Sequence, residues 1–189
     1  MNNDFRLLFI FYYSTDLSDF ILICFVSRTN LRICLFIWEN IIGGKVMIYN
    51  RIKDVREDKD FTQDYIAERL KVKRSTYANW ENSDVLIPLE KLDNISIIFN
   101  VPFSYLLGIN KKYDKSIKVK PINYELLLNR LNKYRKDKKQ TYQLIADAIE
   151  TSKGTIYKYY NGQMKIPVDK LVLLSKFYNC DIDELTGKL

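Results

Sequence analysis

The sequence predicts an all-α protein built from two copies of one small five-helix domain, and three observations carry that expectation. The 189-residue chain matches itself at a constant offset of 79, so that residues 47–110 fall on 126–189 without a gap. Eighteen of those 64 positions are identical, among them Arg56 with Arg135, Thr62 with Thr141, Ile66-Ala67 with Ile145-Ala146, Ile87-Pro88 with Ile166-Pro167, Asn100 with Asn179 and Gly108 with Gly187. Within each copy the apolar residues recur at helical spacing, with capping residues and prolines at the breaks. No stretch alternates with the period of two that a half-buried strand requires. Two copies are too few for a solenoid, whose repeats stabilise one another only in longer arrays. At this size each copy is expected to fold on its own.

Residues 1–46 stand apart. They carry four bases and four acids between short apolar bursts (LLFIFYY, FILICFV, ICLFIW). Asp16, Asp19, Arg28 and Arg32 interrupt these bursts well short of the ~20 apolar residues that span a bilayer. The opening Asn2-Asn3-Asp4 is unlike a signal peptide. The join Ile42-Gly43-Gly44-Lys45-Val46-Met47 can be encoded with AGGAGG, a bacterial ribosome-binding sequence, ahead of an ATG. The leading expectation is therefore a mis-assigned start, with the true start at Met47; the competing one is a real membrane-associating or partner-binding extension.

In the first domain, 47–109, Ile48, Ile52 and Val55 mark a first helix. Ile66, Ala67 and Leu70 mark a second that Thr62 can cap. A third follows after a short turn, with Tyr77 and Trp80 inward. Pro88 is placed in the first turn of a fourth helix carrying Leu89, Leu92, Ile95 and Phe99. A short fifth helix starts at Pro102 and stops at Gly108, where glycine suits the left-handed position after a helix end. Residues 110–121 read as a basic polar linker. The second domain, 122–189, repeats the scheme: Leu127, Leu131 and Tyr134, then Thr141 to Ile149, Lys153 to Tyr160, Pro167 to Phe177, and Asp181 to Gly187.

Composition removes whole classes of function. There is no histidine, so His-dependent triads and imidazole metal sites are excluded. The cysteines Cys24, Cys34 and Cys180 form no CxxC pair, which speaks against a zinc ribbon or a disulfide scaffold. No convergent acid–base or nucleophile set is present, so no enzyme is expected, and neither a cofactor nor a metal. The formal net charge is +7, which suits an anionic partner. It is unevenly spread: residues 47–110 have nine bases and ten acids, whereas 111–189 have seventeen bases and nine acids. Much of the excess lies in KKYDKSIKVK, which reads either as a solvated linker or as a strand along phosphates.

The informative unit is the second helix, the tight turn and the third helix: TQDYIAERLKVKRSTYANWEN and TYQLIADAIETSKGTIYKYYN. Ala67 and Ala146 permit a close helix crossing, and the short turn leaves the start of the third helix prominent. A helix of that size fits the DNA major groove. Both units resemble the helix-turn-helix of the Cro and phage-repressor (XRE) family. The likeness includes the TQ-xx-IA-xx-L opening, the TYANWEN segment, the proline opening the fourth helix and the closing Tyr-Leu-Leu-Gly.

The resemblance implies two tandem lambda-repressor-like domains and sequence-specific binding to double-stranded DNA. It places base contacts on Arg74, Ser75 and Asn79 in copy one, with Ala78 beside them and Lys73 at the turn. In copy two they fall on Lys153, Gly154, Tyr157 and Lys158. Phosphate contacts fall on Gln63, at a helix N-terminus, and on Asn82 and Asn161. Copy two departs from the pattern at Tyr142, Tyr160 and Gly154. Tyr157 and Tyr160 are left open between packing and a groove or partner contact, whereas Trp80 and Tyr159 are expected in the core and Cys180 as a buried, inert thiol.

The function expected is a cytoplasmic transcriptional regulator that occupies an operator, as a homodimer or as an intrachain pseudo-dimer, with no membrane partner. Unlike reading segments should give a direct-repeat or asymmetric site rather than a palindrome. The rivals are an adaptor or antitoxin-like chain that uses helix-turn-helix domains to hold a protein, and a membrane-tethered regulator if residues 1–46 are real.

Overall fold

The second helix of each copy begins where a threonine can satisfy its first free amides. In the computed structural model, which describes residues 51–189, Thr62 Oγ1 accepts the Tyr65 N–H at 3.1 Å. Thr141 Oγ1 accepts the Leu144 N–H at 3.2 Å in the matching place, as expected of an N-cap. The expectations for residues 1–46, and for Ile48, lie outside the described residues.

Copy one runs α1 (Ile52–Asp58), α2 (Gln63–Arg69), α3 (Arg74–Glu81), α4 (Leu89–Phe99) and α5 (Phe103–Leu106). Copy two runs α6 (Tyr124–Asp137), α7 (Tyr142–Ala148), α8 (Lys153–Tyr160), α9 (Val168–Tyr178) and α10 (Ile182–Thr186). The described residues contain no strand. The architecture is the all-α one that the periodicity predicts.

The repeat shows in the backbone as well as in the sequence. Positive φ occurs at Asp60, Lys71, Ser83, Asn100 and Gly108, and again 79 residues on at Lys139, Glu150, Gly162, Asn179 and Gly187. Each of these residues ends a helix with a left-handed turn, which returns an amide to the last open carbonyls, as Val72 N–H does to Ala67 O at 3.0 Å. Lys91 Nζ donates to Leu70 O at 2.7 Å and Lys170 Nζ to Ile149 O at 3.0 Å. The same lysine thus closes the carbonyl end of the second helix in both copies. One detail differs from expectation. Pro88 and Pro167 are extended residues that precede α4 and α9, because the amide each lacks would have no helical partner there anyway.

The two copies share one continuous core, from Ile52 and Phe103 through Leu127 to Leu185, within a single compact unit. Their fifth helices meet. The Asp183 carboxylate accepts the Phe103 N–H at 2.6 Å and the Ser104 N–H at 2.8 Å, satisfying the amides at the start of α5. Lys188 is fully buried, pairs with Asp93, donates to Lys120 O at 3.0 Å and lies 4.3 Å from the centre of the Phe103 ring. Ser104 and Asp183 occupy equivalent positions in the repeat, so the copies meet through matching parts of the fold. Asn110 and Asp181 meet at 3.5 Å. Their counterparts Leu189 and Pro102 line the same cavity of about 100 Å³ beside them.

The polar segment 110–121 is anchored rather than solvated throughout. Val119 is buried and its N–H donates to Asn100 Oδ1 at 3.0 Å. Tyr113 packs on Tyr105 with ring centres 4.6 Å apart. The Lys120 N–H donates to Lys188 O at 3.0 Å. Apolar residues spaced among lysines are enough to pin a segment that its composition alone marks as solvated.

Candidate nucleic-acid interface

Helix α3 buries Tyr77, Trp80 and Glu81, and this sets which side chains remain outside. Arg74, Ser75, Asn79 and Asn82 are exposed, as is Lys73 just before the helix, while Ala78 is half-buried. In α8 the buried set is Ile156, Tyr159 and Tyr160, and Lys153, Gly154, Tyr157, Lys158 and Asn161 are exposed. Every residue singled out on the third helices therefore lies on the surface, and Trp80 and Tyr159 lie in the core. The crossings beneath are close because Ala67 and Ala146 are buried between helices, where a larger side chain would push α2 from α3 and α7 from α8.

Gln63 is half-buried and connects this surface to the interior. Arg56 Nε and Nη2 donate to the two oxygens of the buried Glu81 at 2.6 and 3.2 Å. Gln63 Nε2 donates to Glu81 Oε2 at 2.9 Å, and its Oε1 accepts from Arg74 Nε at 3.4 Å. A hydrogen-bonded chain thus runs from Arg56 through Glu81 and Gln63 to Arg74. Asp64 lies 3.7 Å from Arg74, but both side chains are largely exposed and such a pair contributes little.

Burial alone would raise the Glu81 carboxyl. Hydrogen bonds from Arg56 and Gln63 outweigh it and hold Glu81 below the ordinary carboxylate range. Burial, and then the adjacent Glu81 carboxylate, push the Tyr77 hydroxyl far up.

Copy two fills the same volume with aromatic rings. Tyr160 stands where copy one has Glu81, and its hydroxyl meets the Tyr178 hydroxyl at 2.7 Å. Tyr142 stands where copy one has Gln63. Its ring is edge-on to Tyr160 at 5.6 Å and to Tyr157 at 5.7 Å. Arg135, the counterpart of Arg56, has no acid to pair with; its guanidinium lies 4.5 Å over the Tyr142 ring, and its buried Nε has no hydrogen-bond partner. Of the two tyrosines left open, Tyr160 is packing and Tyr157 is surface, 51% exposed. Burial pushes the half-buried Cys180 thiol up to about 11, so it is protonated and unreactive at neutral pH.

Arg56 and Glu81 are the site residues that sequence reasoning missed. A carboxylate near the end of a charged helix reads as solvated. The signal lay inside the repeat: Arg56 recurs as Arg135 while both of its neighbours change together, Gln63 to Tyr142 and Glu81 to Tyr160.

Among the described residues no helix is long and apolar enough to cross a membrane. A helix-turn-helix family model matches the chain twice, over residues 52–106 and 131–185. The protein described as "Uncharacterized HTH-type transcriptional regulator YobD", from Bacillus subtilis (strain 168), is 26% identical over 74 residues, which cover 39% of this chain. The match spans 66% of that relative's length, just under two thirds. No solved structure matches the chain. With one matched segment covering α1–α5 and the other running from the second half of α6 into α10, the chain belongs to the helix-turn-helix family, as a tandem protein of the Cro and phage-repressor (XRE) type.

Proposed function

We propose that this chain is a sequence-specific, double-stranded-DNA-binding transcriptional regulator of the cytoplasm, which occupies its operator as an intrachain pseudo-dimer. The observation that carries this reading is the contact between equivalent residues, Ser104 and Asp183, which joins two helix-turn-helix units in one body. This pairing supplies within one chain what two half-sites demand of two subunits. The relative's description as an HTH-type transcriptional regulator supports the regulatory role.

In copy one, Arg74, Ser75 and Asn79 read base edges, and Gln63 holds Arg74 in place. Gln63 uses one amide hydrogen on Glu81 and keeps the other for a phosphate. Asn82 and Asn161 contact phosphates at the ends of α3 and α8, and Lys73 adds charge at the turn. In copy two, Lys153, Gly154, Tyr157 and Lys158 form the reading surface. Because the reading segments differ, the two half-sites differ, and the site is a direct repeat or an asymmetric one rather than a palindrome.

Selection of binding sites from a random duplex pool by the full chain tests the reading. A bipartite site with unlike halves is expected, bound with a log–log salt slope of about −4 to −5 for ~5 phosphate contacts. Failure to select any sequence, with a slope near zero, would favour an adaptor that holds a protein partner.

A further inference from the structure

We propose that copy two reads thymine, by seating its C5-methyl group against the ring of Tyr157. The proposal rests on the DNA-reading function above and names the base class that one half-site must contain.

Tyr157 is an exposed aromatic residue on a surface otherwise made of Lys153, Gly154, Lys158 and Asn161. Its ring lies beside that of Tyr142, and no atom of it comes within 4 Å of a Cβ built at position 154. Gly154 adopts no positive φ, and a Cβ built on it would meet only Ser152 Oγ, at 3.9 Å. Neither backbone conformation nor packing requires a glycine there, and glycine lowers helix stability. What its absent side chain leaves is room for a base edge to approach the backbone at the start of α8.

The ring is also braced. Tyr142 meets it edge-on at 5.7 Å, interplanar angle 83°, and Tyr142 is itself held by the Arg135 guanidinium 4.5 Å over its face and by Tyr160. A ring held this way loses little freedom on binding. Copy one has nothing comparable, since the three positions are Ser75, Ala78 and Gln63.

A braced apolar face on a major-groove helix suits one feature of unmodified DNA. Thymine alone presents a methyl group there, while the other bases offer polar edges that an aromatic face leaves unpaired. Lys153 and Lys158, on either side, supply donors for the neighbouring acceptor atoms or phosphates.

The test uses the full chain and the duplex it selects, with each thymine replaced singly by deoxyuridine, which removes only the methyl. Affinity should fall about threefold to fivefold at one or two adjacent thymines, the value expected for one buried methyl. The loss should vanish in Tyr157→Ala and persist in Tyr157→Phe, because the ring and not the hydroxyl makes the contact. Equal uracil sensitivity in wild type and Tyr157→Ala overturns the proposal, as does a Tyr157→Ala loss that is the same on thymine and uracil duplexes. A selected site indifferent to every thymine methyl overturns it while leaving the operator-binding reading intact. A chain that selects no site at all removes both.

Discussion

Arg56 and Arg135 are the same residue in two copies of one fold, yet they are held by different physics. Arg56 neutralises a buried carboxylate, so Arg56→Ala leaves Glu81 charged and unpaired in the interior. Urea unfolding of that variant should show a loss of about 3–5 kcal/mol. Arg135 rests on an aromatic face and leaves no stranded charge behind, so Arg135→Ala should cost about 1–2 kcal/mol. Glu81 also sets the acid response of the fold. Its carboxyl is held below its ordinary value of 4.5 in the folded chain, so its stabilisation is complete above that pH and is lost as pH falls through the lower folded value. Thermal melting of the wild type should drop below about pH 4.5, and Glu81→Gln should lack that part of the drop while melting lower at neutral pH. At the surface, Arg74→Ala should cost ~1–3 kcal/mol of DNA affinity at the preferred site and relax the base choice there. Since Gln63 holds Arg74, Gln63→Ala should weaken binding to every sequence and relax that same base position. If selected sites for the two variants show no shared loss of preference, the Gln63–Arg74 contact does not operate on DNA.

At the scale of the helix, Gly154 gives the sharpest expectation. Gly154→Ala should raise stability by about 0.5–1 kcal/mol, measured by denaturant unfolding, because α8 gains propensity and no clash. A destabilised variant would mean that the turn before α8 depends on glycine. The helices themselves were legible in the sequence, because local chemistry decides them: Thr62 and Thr141 as caps, Pro88 and Pro167 as markers of the fourth helices (one residue early), and the periodic residues Leu92 and Leu171. The exposed third-helix surface was legible as well, since burying Tyr77 and Trp80 leaves Arg74, Ser75 and Asn79 no other place to point. What the sequence hid are long-range polar partnerships. Glu81 meets Arg56 across 25 residues and Asp183 meets Ser104 across 79, and neither pairing leaves a periodic trace. The anchoring of Val119 was hidden for the opposite reason, a lone apolar residue among lysines.

For the whole molecule, docking of the copies is the feature on which function turns. Asp183 and Lys188 are both fully buried, and copy one has Ser104 and Ile109 in their places. Pairing copy two with itself would bury two Asp183 carboxylates face to face, whereas pairing it with copy one sets the carboxylate on free amides. Unlike pairing within one chain is thereby favoured over like pairing between chains. Asp183→Ala leaves the Phe103 and Ser104 amides without an acceptor, a loss of about 1–3 kcal/mol for each. Calorimetry of the wild type should show a single cooperative transition, and the variant should melt earlier or in two steps. The same variant should lose affinity for the bipartite site while retaining its affinity for the copy-one half-site alone. The most direct test of the account is a stoichiometric titration of the full chain on its selected duplex, with a footprint taken at saturation. One chain per duplex protecting both half-sites is the predicted result. Two chains per duplex, or protection of a single half-site by one chain, would contradict it.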